Sequence, residues 1–84
     1  MSEVIVYTTE HCSFCSTAKA LLGKRGIDYQ EINLARDPDG REALAKRTGM
    51  NTFPQIVIDG ETLGGFDALI AADRDGRLKQ LLAA

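Results

Sequence analysis

The sequence predicts an α/β protein: one mixed, four-stranded sheet flanked by helices, in the order β-α-β-α-β-β-α. Three observations carry this expectation. The chain opens on a continuous β-branched and aromatic run, Val4-Ile5-Val6-Tyr7, which suits a central strand. Cys15, Ala18, Leu21 and Leu22 then follow helical spacing. Asp59-Gly60, the preferred dipeptide of a tight hairpin, separates two short strand-like runs. A β-α-β opening requires parallel strands and a hairpin antiparallel ones, so the sheet should be mixed.

Taken in order, residues 3–8 form the first strand, and the polar stretch 9–11 leads into Cys12. A helix is expected over 13–25, with Lys24 and Arg25 complementing the negative end of its dipole and Gly26 stopping it. Residues 27–34 read as a second strand on Ile27, Tyr29 and Ile32. Asp37-Pro38-Asp39-Gly40 is a turn into a helix over 41–47, stopped by Gly49. Phe53-Pro54 precedes a strand over 55–58, residues 61–63 return, and Gly64-Gly65 break the strand. A last helix covers 66–72, and Asp75-Gly76 interrupt it before a short helical tail ending at Leu82. No linker, repeat or low-complexity segment divides the chain, so residues 1–84 are expected to form one domain.

Composition narrows the function. Apolar residues make up 44% and charged residues 26% of the chain, too apolar for disorder. The formal net charge is −2 with lysine and arginine dispersed, which argues against a nucleic-acid partner. No apolar run approaches the roughly 20 residues that span a bilayer, so no membrane role is expected. The start, Met-Ser-Glu-Val, lacks a basic segment followed by an apolar one, so a cytoplasmic location is expected.

Both cysteines lie in Cys12-Ser13-Phe14-Cys15. Such a pair closes almost no loop, so it is a poor structural disulfide. It falls where a strand ends and a helix begins, and the unpaired N–H groups of a first helical turn stabilise an anion. A thiolate at Cys12 should therefore form more readily than in a free cysteine. Cys15 lies one turn further in, close enough to attack a disulfide at Cys12 and more shielded. The roles follow: Cys12 attacks and Cys15 resolves. Metal ligation and inert burial are the competing readings, but zinc normally takes four protein ligands and only His11 and the two thiols are nearby.

Two further features point to a ligand. An X-Pro bond before a strand can be cis, and a cis bond at Pro54 would turn the Phe53 backbone out to pair with an extended peptide; a trans proline that starts a strand is the plain alternative. Gly64-Gly65 followed by Phe66-Asp67 offers an open turn and a helix N-terminus able to receive a carboxylate, or else a simple β-to-α turn.

Together, the Val-Ile-Val-Tyr-Thr strand before the C-x-x-C, the segment Thr52-Phe53-Pro54-Gln55, the strand Ile56-Val57-Ile58-Asp59-Gly60 and Gly64-Gly65-Phe66-Asp67 resemble the glutaredoxins of dithiol, bacterial type. The resemblance spans nearly the whole chain. It implies a thioredoxin-like fold with cis-Pro54 facing the cysteines, and glutathione as reducing co-substrate. It assigns the Thr52-Phe53-Pro54 backbone to the cysteine portion of glutathione. Gly65, Phe66 and Asp67 fall to its γ-glutamyl end and Arg41 to its glycine carboxylate, while Phe14 supplies an apolar wall where tyrosine is usual. Ser13 stands for the common proline, Thr9 for a frequent lysine and Ala68 for a frequent acid, so glutathione contacts are expected to be shared differently. His11 is expected in solvent, with tuning of Cys12 as the alternative.

The implied activity is reduction of protein disulfides and glutathione mixed disulfides by a monomer. Its partners would be glutathione and disulfide-bonded or glutathionylated proteins, ribonucleotide reductase among the compatible ones. Two alternatives accompany it: a carrier holding a [2Fe–2S] cluster between two protomers through Cys12 and two glutathiones, and an electron donor reduced by thioredoxin reductase.

Overall fold

The computed structural model describes residues 3–83. Eight elements follow one another: β1 (Val4–Thr8), α1 (Ser13–Lys24), β2 (Gln30–Asn33), α2 (Pro38–Thr48), β3 (Gln55–Ile58), β4 (Glu61–Gly64), α3 (Phe66–Arg74) and α4 (Arg77–Ala83). The sheet order is β2-β1-β3-β4. β1 is central as expected, parallel to β2 with Tyr7 opposite Ile32, and antiparallel to β3 with Val6 opposite Ile56. β3 and β4 form the expected hairpin, with positive φ at both Asp59 (52°) and Gly60 (82°), the geometry that matches strand twist.

The main core joins Val4, Val6 and Ile56 of the sheet to Ala18 and Leu22 of α1, Leu69 and Ala72 of α3, and Leu78 of α4. Each fully buried leucine or isoleucine contributes about 1.5–3 kcal/mol relative to exposure, so this cluster holds α1 and α3 against the sheet.

Most boundaries agree with the sequence expectation within two residues; two differ by three residues, each for a local reason, and the expected interruption at Asp75-Gly76 is seen. The second strand starts at Gln30, not at residue 27, because Ile27 completes the C-terminal cap of α1. Gly26 (φ 73°) donates to Gly23 O at 3.0 Å and Ile27 to Leu22 O at 2.9 Å, and the Ile27 side chain is buried in the core. The second helix starts at Pro38, three residues before Arg41. Asp37 caps it, accepting from Gly40 N at 2.9 Å, and proline fits the first helical position because its missing N–H would have had no partner there. The helical tail is a separate helix, α4: Gly76 takes φ 87°, Asp75 accepts from Arg77 N at 3.0 Å, and Leu78 inserts into the core.

No helix among the described residues is long and apolar enough to cross a membrane.

Candidate active site

Cys12 is the N-cap of α1, with extended backbone (φ −112°, ψ 99°). Its Sγ accepts the Cys15 backbone N–H at 3.1 Å, and its carbonyl receives Ser16 N at 3.3 Å. A sulfur atom thus takes the place of the usual serine or aspartate cap oxygen. The first turn of α1 holds no acidic residue, so no like charge opposes an anion there. The two cysteines are joined as a disulfide, with Cα atoms 5.2 Å apart. Cys12 is half-buried and Cys15 only 2% exposed, so a partner can reach the first sulfur and not the second.

Across from the pair, the Phe53–Pro54 peptide is cis, and Phe53 O lies 3.7 Å from Cys12 Sγ. The loop carrying these residues is held from below by Gln55, which is 1% exposed. Its Nε2 donates to Met50 O and Thr52 O, both at 3.0 Å, and its Oε1 accepts from Thr48 Oγ1 at 2.8 Å.

Three recesses surround the cysteines and that loop. One of about 530 Å³ brings together Phe14, Thr52, Gly65, Phe66 and Asp67, with Ala68 at its edge. The Phe14 and Phe66 rings stand 5.1 Å apart at 35° and form its wall, and Phe14 is 58% exposed. Gly65 caps α3 without a side-chain hydrogen bond, so no side chain of the N-cap residue occupies the first N–H groups of that helix. A second recess, about 340 Å³, holds Arg41 and Phe53. Arg41 is anchored by its own turn, Nη1 donating to Leu34 O at 2.6 Å and Ala35 O at 2.8 Å. Arg41 and Asp67 therefore lie in different recesses, which meet only through Met50. Met50 had no signal in the sequence beyond its place in a loop after Gly49.

The third recess, about 510 Å³, is lined by half-buried Cys12 and by buried Cys15, with Thr9, exposed His11 and Ser13 around them. It also holds a polar cluster that sequence spacing did not bring together. Buried Thr8 donates Oγ1–H to Glu31 Oε2 at 2.7 Å, and Lys19 Nζ reaches the same carboxylate at 3.1 Å. The Thr8 hydroxyl first, and Lys19 after it, hold the Glu31 carboxyl below the usual carboxylate range, against partial desolvation. A further recess, about 620 Å³ between the β3–β4 hairpin and α4, contains none of these residues.

Known proteins resemble this arrangement. A family model described as glutaredoxin matches residues 4–63. Glutaredoxin 3 of Escherichia coli is 44% identical over 82 residues, 98% of this chain and 99% of that protein. A glutaredoxin of Pseudomonas aeruginosa is 44% identical over 84 residues, covering both chains completely. Among solved structures, a buckwheat glutaredoxin crystallised with glutathione superposes with a TM-score of 0.88 at 34% identity, covering 98% of this chain and 77% of that one.

Proposed function

The chain belongs to the glutaredoxin family of glutathione-dependent thiol–disulfide oxidoreductases, and from that premise we propose that Cys12 is its attacking thiolate, Cys15 its resolving thiol and the paired recesses its glutathione site. One observation carries the assignment: Cys12 Sγ caps α1 and accepts the Cys15 N–H at 3.1 Å, while Phe53 O stands 3.7 Å away on the opposite side. An anionic sulfur gains from that donor and from the helix terminus behind it.

In deglutathionylation, the Cys12 thiolate attacks the glutathione sulfur of a mixed disulfide. The old S–S bond breaks, the substrate leaves as a thiolate and takes up a proton, and glutathione is now joined to Cys12. A second glutathione thiolate attacks that glutathione sulfur, releasing glutathione disulfide and restoring the Cys12 thiolate. In protein disulfide reduction, Cys12 attacks one substrate sulfur and Cys15, deprotonated, then attacks Cys12. The substrate leaves as a dithiol, and the Cys12–Cys15 bond that remains is reduced by two glutathiones. The burial of Cys15 supports its role in the second route only.

The bound tripeptide would use three parts of the groove. The Phe53 backbone beside cis-Pro54 and Thr52 would pair with its cysteine portion. Gly65, Phe66 and Asp67 would receive the γ-glutamyl end: the open α3 N–H groups suit its carboxylate and Asp67 its ammonium. Arg41, at the far side of Met50, would take the glycine carboxylate. Phe14 and Phe66 would cover the sulfur-bearing region from one side.

Disulfide-bonded and glutathionylated proteins are the substrate class, ribonucleotide reductase being compatible with it, and a reducing compartment such as the cytoplasm suits the turnover. The unit would be residues 1–84 acting as a monomer. The [2Fe–2S] alternative would take one cysteine from each of two protomers and two glutathiones. Cys12 is the residue that would serve, since Cys15 is buried, and within one chain the described residues gather no group of three or more His, Cys, Asp or Glu. No step above runs through a cluster. The proposal is tested by glutathione-dependent reduction of a small mixed disulfide with wild type, Cys12→Ser and Cys15→Ser. Turnover by wild type and Cys15→Ser but not by Cys12→Ser is expected; faster reduction by thioredoxin reductase than by glutathione would favour the other electron donor.

A further inference from the structure

We infer that Gln55 is a positioning residue for glutathione, acting through the backbone of residues 50–53. The inference rests on the proposed glutathione site. Gln55 belongs to β3, where it pairs with Tyr7 of the central strand, so its Cα is fixed by the sheet. Its amide is 1% exposed, yet every polar atom on it has a partner. Both Nε2 protons go to loop carbonyls, Met50 O and Thr52 O at 3.0 Å each, and Oε1 accepts from Thr48 Oγ1 at 2.8 Å. The amide has one workable orientation, because the two carbonyls can only accept. Thr48, at the end of α2, matches it: its one hydroxyl proton has Gln55 Oε1 at 2.8 Å and Leu44 O at 3.0 Å as alternative acceptors, and its oxygen accepts Met50 N at 3.2 Å.

An apolar residue of the same length would fill this space equally well but would leave Met50 O and Thr52 O without donors. On the side facing the buried position 55 these carbonyls would have no donor. A polar group turned toward an apolar side chain costs more than the bond itself contributes, so the loop would shift until water replaced the lost amide. What would move is the ligand-facing surface. Met50 joins the two recesses, Thr52 lines one, Phe53 lines the other, and Phe53 O is the atom opposite Cys12 Sγ. Gln55 itself does not touch the sulfurs. It sets the register of the backbone that would hold the tripeptide against them.

The test compares Gln55→Met and Thr48→Val with wild type in four measurements: KM and kcat for a small glutathione mixed disulfide, the alkylation rate of reduced Cys12 and the thermal midpoint. Gln55→Met is expected to raise KM about tenfold, as the loss of one to two net hydrogen bonds implies, with kcat and Cys12 alkylation within about twofold. Thr48→Val, which keeps both Gln55 bonds to the loop but removes the hydroxyl's contacts with Gln55 Oε1, Met50 N and Leu44 O, should raise KM about threefold. A residue that merely supports the fold would lower the thermal midpoint and leave KM in place. Folded Gln55→Met with wild-type KM therefore overturns the inference; if Gln55→Met does not fold, a wild-type KM in Thr48→Val overturns it. Wild type that shows no glutathione-dependent turnover at all would instead overturn the functional proposal beneath it.

Discussion

The rings of Phe14 and Phe66 stand 5.1 Å apart, joining the first turn of α1 to the first turn of α3. Two helix N-termini are thereby held side by side, one capped by a cysteine sulfur and the other by Gly65 with no side-chain contact. Such an aromatic pair adds about 0.5–1.5 kcal/mol beyond area burial. That energy is lost from the fold in Phe14→Ala. The same change strips the apolar wall from the groove and should raise KM for a glutathionylated substrate by about two- to tenfold, as the loss of about 0.5–1.5 kcal/mol of apolar contact implies. Phe14→Tyr, which keeps the ring, should stay near wild type. Steady-state kinetics in the glutathione-coupled assay reads this directly, and a Phe14→Ala protein with unchanged KM would remove the ring from the groove wall.

The two thiols should separate cleanly. Cys15→Ser keeps the deglutathionylation route because Cys12 alone performs it, and loses reduction of a protein disulfide because nothing displaces the product. Trapped mixed disulfide, seen by mass spectrometry at Cys12, is the expected signature. Full protein disulfide turnover by Cys15→Ser would make the resolving role untenable.

Gly64 sits at φ 133°, and a Cβ there would lie 2.8 Å from that of Ala68. Both the backbone and the neighbour oppose any side chain. Gly64→Ala is expected to lose about 1–3 kcal/mol of stability in urea denaturation, as left-handed strain plus a clash implies. Gly65 is different. A Cβ on it meets Met50 Cε and Pro54 O at 3.5 Å, ordinary contact distances, so Gly65→Ala should fold normally and show its effect in KM.

Glu31 should leave its mark on the pH dependence of stability. Its folded-state carboxyl is held low by Thr8 and then Lys19. A depressed acid contributes stability that is present above its unfolded pKa, about 4.3, and lost as pH falls through the lower folded value. The gap in urea midpoint between wild type and Glu31→Gln should thus be widest near neutrality and shrink below pH 4. A gap that grows on acidification contradicts this account.

Much of this was legible because its signals are local. β1, the C-x-x-C at a strand-to-helix junction and the Asp59-Gly60 hairpin each lie within a few consecutive residues, and the structure has them where the sequence put them. Ile27 misled because an apolar residue after glycine serves a helix cap as well as a strand. Pro38 misled because Asp-Pro-Asp-Gly favours a turn, yet the same Asp37 and Pro38 open α2. Arg41 emerged as a groove residue, but its hold on Leu34 O and Ala35 O depends on the turn, not on spacing. Met50 and the Thr8–Glu31–Lys19 cluster join residues through tertiary packing, for which no periodicity exists to be read.

The most direct test is the ionisation of Cys12 in the reduced protein, followed as the rate of alkylation by iodoacetamide across pH 4–10 (a range chosen around the roughly 8.5 of free cysteine). The account predicts a midpoint well below that value, with Cys12 labelled first and Cys15 slow. A midpoint at or above it, or preferential labelling of Cys15, would contradict it.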